Sequence, residues 1–362
     1  MKLLDCKFEE FLEIIQGKKM VWFGASEMPR EICEEYSEYC FEEKIEYFVD
    51  NSEVKQGKDY FLVGKSIKIV SPIYLLNNIS EDVVIVITSK YYVDIWKQLQ
   101  DMEELSNNWG VIWPMIAPQY KTDNELKKKI KAASDSKNRI PKKIHYFWFG
   151  GNPIPELESR CIESWKKFCS DYEIIRWDEN NYDIHQNKYM EQAYKAQKWG
   201  FVPDYARLDV VYQHGGIYLD TDVEIIRNFD ELLELPGFMG FESKKYINMG
   251  QGFGALARNS VIKLLRDDYE TKEFIVENNQ FNLTPSPVLQ TEVLLKHGLK
   301  LNNKFQRIQD MMILPAECFS PDNNMIPHVT ENTFSIHHFS GSWTPENNKR
   351  FLEKQRRFIS RK

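Results

Sequence analysis

Over the first 120 residues, short apolar runs alternate with stretches whose apolar residues recur at helical spacing. Met20-Val-Trp-Phe23 is an apolar run that meets Gly24-Ala-Ser, which predicts a strand turning at glycine. A helical stretch follows around residues 29–40. A second strand is predicted over Ile45–Val49, ending at Asp50, then a buried third over Val83–Ile87 and a helix over Val93–Met102. Strands that alternate with helices predict a parallel sheet.

This segment, residues 1–120, is read as a small Rossmann-like α/β domain. A nucleotide at Gly24, with Asp50 turned toward a ribose, would fit such a fold. Gly24-Ala-Ser-Glu-Met-Pro carries one glycine of the three in G-x-G-x-x-G, so a simple strand-to-helix turn is the favoured reading. Lys121–Lys143 is rich in Lys, Asp, Asn and Ser, and residues 121–138 are expected to link the first domain to a second over 139–345.

The densest signal lies at residues 204–222. Pro203 suits a first helical turn, and Asp204 is favoured there by the positive end of the helix dipole. Leu208, Val211 and Tyr212 recur at helical spacing until Gly215-Gly216 closes the element. Asp204 and Arg207, three apart, share a helix face. Ile217 and Leu219 then alternate with Tyr218 and Asp220, which predicts a strand. If the backbone stays extended to 222, Asp220 and Asp222 point to one side and offer oxygen ligands to a hard ion such as Mn²⁺ or Mg²⁺.

Composition narrows the class. Hydrophobic residues at 42% with 28% charged describe a globular chain long enough for two domains. A net charge of −7 argues against a general nucleic-acid binder. No run of roughly 20 apolar residues is present, and Met1-Lys-Leu-Leu-Asp-Cys-Lys has no signal-peptide core, so a cytoplasmic location is expected. Cysteines at 6, 33, 40, 161, 169 and 318 form no CxxC pair and are expected to be reduced. Residues 346–362 form a basic amphipathic segment. From Asn348 onward it carries seven Lys or Arg against Glu353 alone, with Phe351-Leu352 and Phe358-Ile359 seven apart. A terminal helix packed on the second domain is expected, with peripheral contact to an anionic membrane surface as the alternative.

Four ordered segments carry a family resemblance: Ile140-Pro-Lys-Lys-Ile-His145-Tyr-Phe-Trp148-Phe-Gly150-Gly151, Ser164-Trp165 with Trp177-Asp178, the 204–222 block, and His337-His338-Phe-Ser-Gly-Ser342-Trp343. Together they resemble the DXD-containing sugar transferases of glycosyltransferase family 32 and, more distantly, the large clostridial glucosylating toxins. The resemblance implies a GT-A-type nucleotide-sugar domain after the Rossmann-like one. It also implies a metal-dependent transferase that retains anomeric configuration while moving a hexose to a saccharide or lipid-linked oligosaccharide acceptor, in bacterial surface or capsular polysaccharide synthesis. UDP-hexose is the favoured donor and GDP-mannose the other.

On that resemblance, Asp222 is the direct metal ligand and Asp220 binds the metal through water or holds the ribose. His337 or His338 completes the metal shell; successive strand residues face opposite sides, so one of the two is expected, with His337 favoured. Trp148 stacks on the base. Asp204 and Arg207 orient the sugar, Ser342 and Trp343 contact the departing phosphate, and Trp343 is counted with Asp204, Arg207, Asp220 and Asp222 as catalytic. His145 and Tyr218 complete the donor set, with Asn248 and Gln251 in a glycine-rich loop. Trp165 and Trp177 are expected in the core. Thr284-Pro-Ser-Pro287 departs from the Gly-Pro step of many relatives, on the acceptor side. A nucleotide-sugar hydrolase and an inactive nucleotide-sugar-binding scaffold are the alternative functions.

Overall fold

The structure is a computed structural model that describes residues 1–135, 139–323, 326–341 and 346–359, without the side chains of 322–323 and 346–349. The chain forms two compact units, one of residues 1–121, 322–328 and 350–362, the other of 122–321 and 329–349.

The first unit is built on seven strands: β1 (Lys2–Leu3), β2 (Met20–Phe23), β3 (Ile45–Val49), β4 (Asp59–Leu62), β5 (Lys65–Val70), β6 (Val84–Ile87) and β7 (Trp109–Ile112). Their order is β1-β7-β6-β2-β3-β5-β4, parallel except for the edge hairpin β4–β5. Helices α1 (Phe8–Ile14), α2 (Met28–Glu35), α3 (Pro72–Asn78) and α4 (Tyr92–Gln100) connect them, and α5 (Trp113–Ile116) follows β7. Alternate residues of β2 serve two cores: Met20 and Trp22 pack with Phe11, Phe41 and Trp113, while Val21 and Phe23 pack with Ile85, Ile87, Tyr92 and Trp96. A strand covered on both faces reads as an unbroken apolar run, which is why Met20–Phe23 and Val84–Ile87 show no alternation.

The ribose reading of Asp50 fails. Its carboxylate accepts from the Ala25 N–H at 3.0 Å and from Lys55 Nζ at 2.9 Å through one oxygen, and from the Ser52 N–H at 2.9 Å through the other. Gly24 has a φ of +117°, and a Cβ there would stand 2.7 Å from the Thr88 carbonyl oxygen. Glycine at 24 is required by this close approach, and Asp50 staples the turn that follows.

In the second unit, α6 (Leu126–Ala133) buries Leu126 and Ile130 in the core. The charged stretch expected as a linker thus contains a helix that packs in this unit, its lysines on the open face. The strands are β8 (Lys143–Phe147), β9 (Glu173–Trp177), β10 (Gly216–Tyr218), β11 (Val223–Ile225), β12 (Gly237–Gly240), β13 (Phe253–Ala255), β14 (Gln306–Ile308) and β15 (Met311–Leu314). The main sheet runs β14-β15-β12-β13-β10-β8-β9, with β8 parallel to both β9 and β10. Helices α7 (Glu156–Phe168), α8 (Lys188–Lys195), α9 (Pro203–His214), α10 (Ser260–Asp268) and α11 (Ser286–Leu295) belong to the same unit. This sheet is mixed: β8–β9, β8–β10 and β12–β15 pair parallel, while β10–β13, β12–β13 and β14–β15 pair antiparallel, so the architecture is mixed α/β.

After β15, the hairpin β16 (Asp322–Asn323) and β17 (Ile326–Pro327) belongs to the first unit, and β18 (Ser335–His337) pairs antiparallel with β11. From Arg350 onward the terminal helix α12 (Glu346–Ile359), expected on the second domain, belongs to the first unit, where it packs against α4. Phe351 meets Tyr91 with ring centroids 5.4 Å apart, Phe358 meets Tyr92 at 6.0 Å, and Lys354 pairs with Asp94. The seven-residue spacing of these phenylalanines is therefore used for packing. Among the described residues no helix is long and apolar enough to cross a membrane.

Candidate functional site

Helix α9 begins with Pro203 in its first turn and holds Asp204 and Arg207 on its buried face. Their side chains are 3% and 5% exposed and form an ion pair of 2.9 Å. Arg207 also donates from Nε to the Pro203 carbonyl at 3.1 Å and places Nη1 3.5 Å from Asp220 Oδ1. The pair is thus a buried anchor rather than a surface i,i+3 contact. Burial pushes the Asp204 carboxyl up to about 6, with the Arg207 charge opposing it. Burial weakens the Arg207 guanidinium, but Asp220 and its other neighbours outweigh that and raise its pKa.

The backbone does not stay extended to residue 222. Strand β10 ends at Tyr218, and the Asp220 N–H donates to the Gly250 carbonyl at 2.9 Å while the Val223 N–H donates to the Asp220 carbonyl at 3.1 Å. Asp220 and Asp222 therefore sit in a bend between β10 and β11. Even so, one ligand atom each of Asp220, Asp222 and His337 lie within 4.8 Å of one another. The Tyr218 hydroxyl donates to Asp220 Oδ1 at 2.7 Å, and burial raises its own pKa well above the ordinary value. On the other side Gly250 closes against this carboxylate, where a Cβ would collide with Oδ2.

Asp222 is buried and doubly held: His337 Nε2 lies 3.3 Å from Oδ1, and the Ser340 N–H donates to Oδ2 at 2.8 Å. Burial pushes its pKa up, yet His337 and Ser340 hold it well below the usual carboxylate range. For His337, burial lowers the pKa and the Asp222 charge more than offsets it, so the net direction is up. The remaining imidazole nitrogen, Nδ1, is buried without a hydrogen-bond partner among the described residues. Two carboxylates and an imidazole form a donor set suited to a divalent cation, and an orphaned buried nitrogen beside them fits a group that binds there.

His338 turns the other way. Val223 pairs with His337 across β11 and β18, and strand alternation sends the next side chain outward, where His338 Nε2 meets Glu224 Oε2 at 2.8 Å.

Several expected donor contacts are used inside the fold. His145 on β8 is buried, with Nε2 2.9 Å from the Gly215 carbonyl and Nδ1 accepting from Trp177 Nε1 at 3.1 Å. Both ring nitrogens are committed, and burial lowers its pKa to about 4. An ordinary histidine titrates near 6.5, so between pH 6.5 and 4 the unfolded chain binds a proton that the folded chain refuses. His145 thus contributes stability that is complete above pH 6.5 and lost as pH falls toward 4, by about 3 kcal/mol. Denaturant unfolding from pH 7 to 4.5 should show this fall, and His145→Gln should flatten it; an unchanged slope in the variant would remove His145 as its source.

Gln251 is fully buried, its amide donating to the Phe241 carbonyl at 2.9 Å and accepting from Ser320 Oγ at 2.5 Å, so in this structure its amide is engaged in supporting the loop. Asn248 donates to Glu242 at 2.7 Å and accepts from the Gly250 N–H at 2.7 Å, which fixes Gly250 against Asp220. Sequence reasoning missed Glu242; four positions from Tyr246 and six from Asn248, it carried no motif signal. Trp148 follows β8 at its carboxyl end, half-buried, with its indole N–H donating to the Asn152 carbonyl at 2.6 Å. Trp165 lies in the core and donates to the Val223 carbonyl at 2.7 Å, bracing the strand beyond Asp222. Trp177 is half-buried and stacks on His214 at 5.7 Å. Ser342 and Trp343 lie outside the described residues.

Comparison with known proteins bears on this arrangement. Residues 155–238 match the family model described as glycosyltransferase sugar-binding region containing DXD motif, a segment that holds Asp204, Arg207, Tyr218, Asp220 and Asp222. Over 114 residues the chain is 31% identical to inositol phosphoceramide mannosyltransferase 3 of Schizosaccharomyces pombe, covering 29% of this chain and 31% of that protein. The match thus spans about a third of the yeast enzyme's length. An uncharacterized glycosyltransferase of Acanthamoeba polyphaga mimivirus is 25% identical over 225 residues, 57% of this chain and 84% of that one. Among solved structures, the PaToxG glycosyltransferase aligns with a TM-score of 0.35 and 19% identity, over 48% of this chain and 76% of that chain. The chain carries a glycosyltransferase sugar-binding region with its DXD motif.

Proposed function

We propose that this chain is a metal-dependent, retaining hexosyltransferase of GT-A type, which moves a hexose from a nucleotide sugar to a saccharide or lipid-linked oligosaccharide in bacterial surface or capsular polysaccharide synthesis. The observation that carries the reading is the convergence of Asp220, Asp222 and His337 beside the buried Asp204–Arg207 pair.

In this reading Asp220, Asp222 and His337 hold Mn²⁺ or Mg²⁺, which when bound offsets negative charge on the donor diphosphate. Arg207 ties Asp204 and Asp220 into one rigid unit, so the carboxylates facing the sugar need no rearrangement when it arrives. Asp204 accepts from sugar hydroxyls, and the Arg207 fork keeps its orientation. Transfer breaks the bond from the anomeric carbon to the phosphate oxygen and forms one to the acceptor oxygen, whose proton passes to the departing phosphate on the same face. Trp148, at the carboxyl edge of β8, offers its face to the base.

UDP-hexose remains the favoured donor, and the yeast relative's name makes mannose the competing sugar. A cytoplasmic setting with peripheral membrane contact through α12 completes the proposal. The apolar residues Phe351 and Phe358 are used on Tyr91 and Tyr92, so such contact would be electrostatic. A groove of about 400 Å³ beside α12, lined by Lys97, Arg350, Lys354 and Arg357 together with Glu353, Val93 and Phe358, is where it would occur.

Isothermal titration with UDP in the presence and absence of Mn²⁺, followed by transfer assays over a donor panel, tests the function. Metal-dependent nucleotide binding and acceptor-dependent turnover are expected, with retained anomeric configuration by NMR. Fast hydrolysis indifferent to every acceptor would replace the transferase with a hydrolase, and no metal-dependent binding would leave a scaffold. Trp148→Ala should weaken UDP binding by about 1–3 kcal/mol; wild-type affinity in that variant would remove the stacking assignment.

A further inference from the structure

Helix α11 carries one polar side chain that none of the described residues satisfies. Gln290 is 1% exposed, and both its amide nitrogen and its amide oxygen are buried without a hydrogen-bond partner among the described residues. An amide orphaned at both ends is rare in a folded protein, because each unmet group forfeits its hydration without compensation. The Tyr269 hydroxyl, just beyond α10, is in the same state.

Position along α11 shows what Gln290 lies between. Ser286, one turn earlier on the same face, sits against the Asp204 carboxylate. Thr291, the next residue, accepts the Ile247 N–H at 2.9 Å and so fixes α11 to the loop that brings Asn248 and Gly250 to Asp220. Gln290 falls between these two contacts. The Tyr269 ring, for its part, is close enough to Asp204 and Arg207 for both charges to act on its hydroxyl.

We infer that Gln290, seconded by Tyr269, is a specificity-determining residue of the donor subsite, its amide reading hydroxyl groups of the hexose that enters beside Asp204. The inference rests on the transferase reading above and adds to it the sugar's hydroxyl pattern as what the pocket selects. A primary amide is well matched to vicinal hydroxyls. Its nitrogen donates to one while its oxygen accepts from a neighbouring one, so an epimer with one hydroxyl inverted loses a partner and leaves a buried group unmet. Natural proteins tolerate such unmet groups at functional sites at the expense of stability.

The test uses the full-length chain, with Gln290→Leu as a near-isosteric variant without the amide and Gln290→Glu as a second, with Mn²⁺ throughout. For Gln290→Leu the melting temperature should stay level or rise, because an unsatisfied group has been removed. Binding of UDP, which has no sugar, should be unchanged. KM for the preferred nucleotide sugar should rise about tenfold, and preference among hexose epimers should narrow by a similar factor. Gln290→Glu, which keeps the acceptor and loses the donor, should shift epimer preference instead of flattening it. A stabilised Gln290→Leu enzyme with unchanged KM and epimer preference overturns the inference, as does an equal loss of UDP and nucleotide-sugar binding. Absence of metal-dependent UDP binding in the wild-type protein would instead bring down the transferase reading itself.

Discussion

Asp222→Asn is expected to abolish metal-dependent nucleotide binding and to lower transfer on the order of a thousandfold, about 4 kcal/mol of barrier. Asn keeps an oxygen for the Ser340 N–H but removes the negative charge that faces His337 and that would face the proposed cation. Titration with UDP should then give the same weak heat with and without Mn²⁺. Added Mn²⁺, which should raise the melting temperature of the wild type by binding the native state, should leave the variant unmoved. Asp222→Ala is the less clean variant, because this carboxylate is buried. It strands the half-buried Ser340 N–H and the buried His337, and should cost about 1–3 kcal/mol of stability besides activity. A transfer rate within tenfold of wild type in Asp222→Asn would remove this carboxylate from the machinery.

Arg207→Met carries the other large effect, on stability as much as on turnover. The guanidinium is the shared partner of two carboxylates, Asp204 and Asp220, and its removal leaves Asp204 buried without a counter-charge. Breaking a buried pair by deleting one member costs about 3–5 kcal/mol, a change readily measured by urea unfolding. Combining it with Asp204→Asn should recover most of that loss, because no uncompensated charge stays buried, while activity remains absent. If the double variant is no more stable than the single one, the destabilisation comes from lost packing on Tyr218 and not from the orphaned carboxylate.

How much of this was legible in the chain depends on the distance over which each feature is specified. Asp204 and Arg207 are three residues apart, so helical periodicity alone puts them on one face. That their pair is buried depends on the neighbours of α9, which periodicity does not name. Asp220 and Asp222 illustrate a convergence anticipated for the wrong reason. Alternation along an extended strand was expected, whereas the chain bends after Tyr218 because the Asp220 N–H is taken by the Gly250 carbonyl, thirty residues later. His145 and Gln251 resembled donor contacts because their motifs are local. Their partners, Trp177 for the histidine and Ser320 for the glutamine, lie 32 and 69 residues away. Gln290 had no motif at all; only its burial without a partner draws notice.

The sequence by itself determined the alternating α/β elements of the first unit, the helix and glycine stop before Asp220, and, through strand parity, that adjacent His337 and His338 face opposite ways. These follow from interactions within a turn or two of the chain, where side-chain direction is set by backbone period. Tertiary structure decided which histidine faces Asp222, the docking of the terminal helix on α4, the assignment of α6 to the second unit and the interior use of His145 and Gln251. Each is a choice among partners far apart in the chain, made by burial and by the need to satisfy every enclosed polar group, and local spacing carries no record of it.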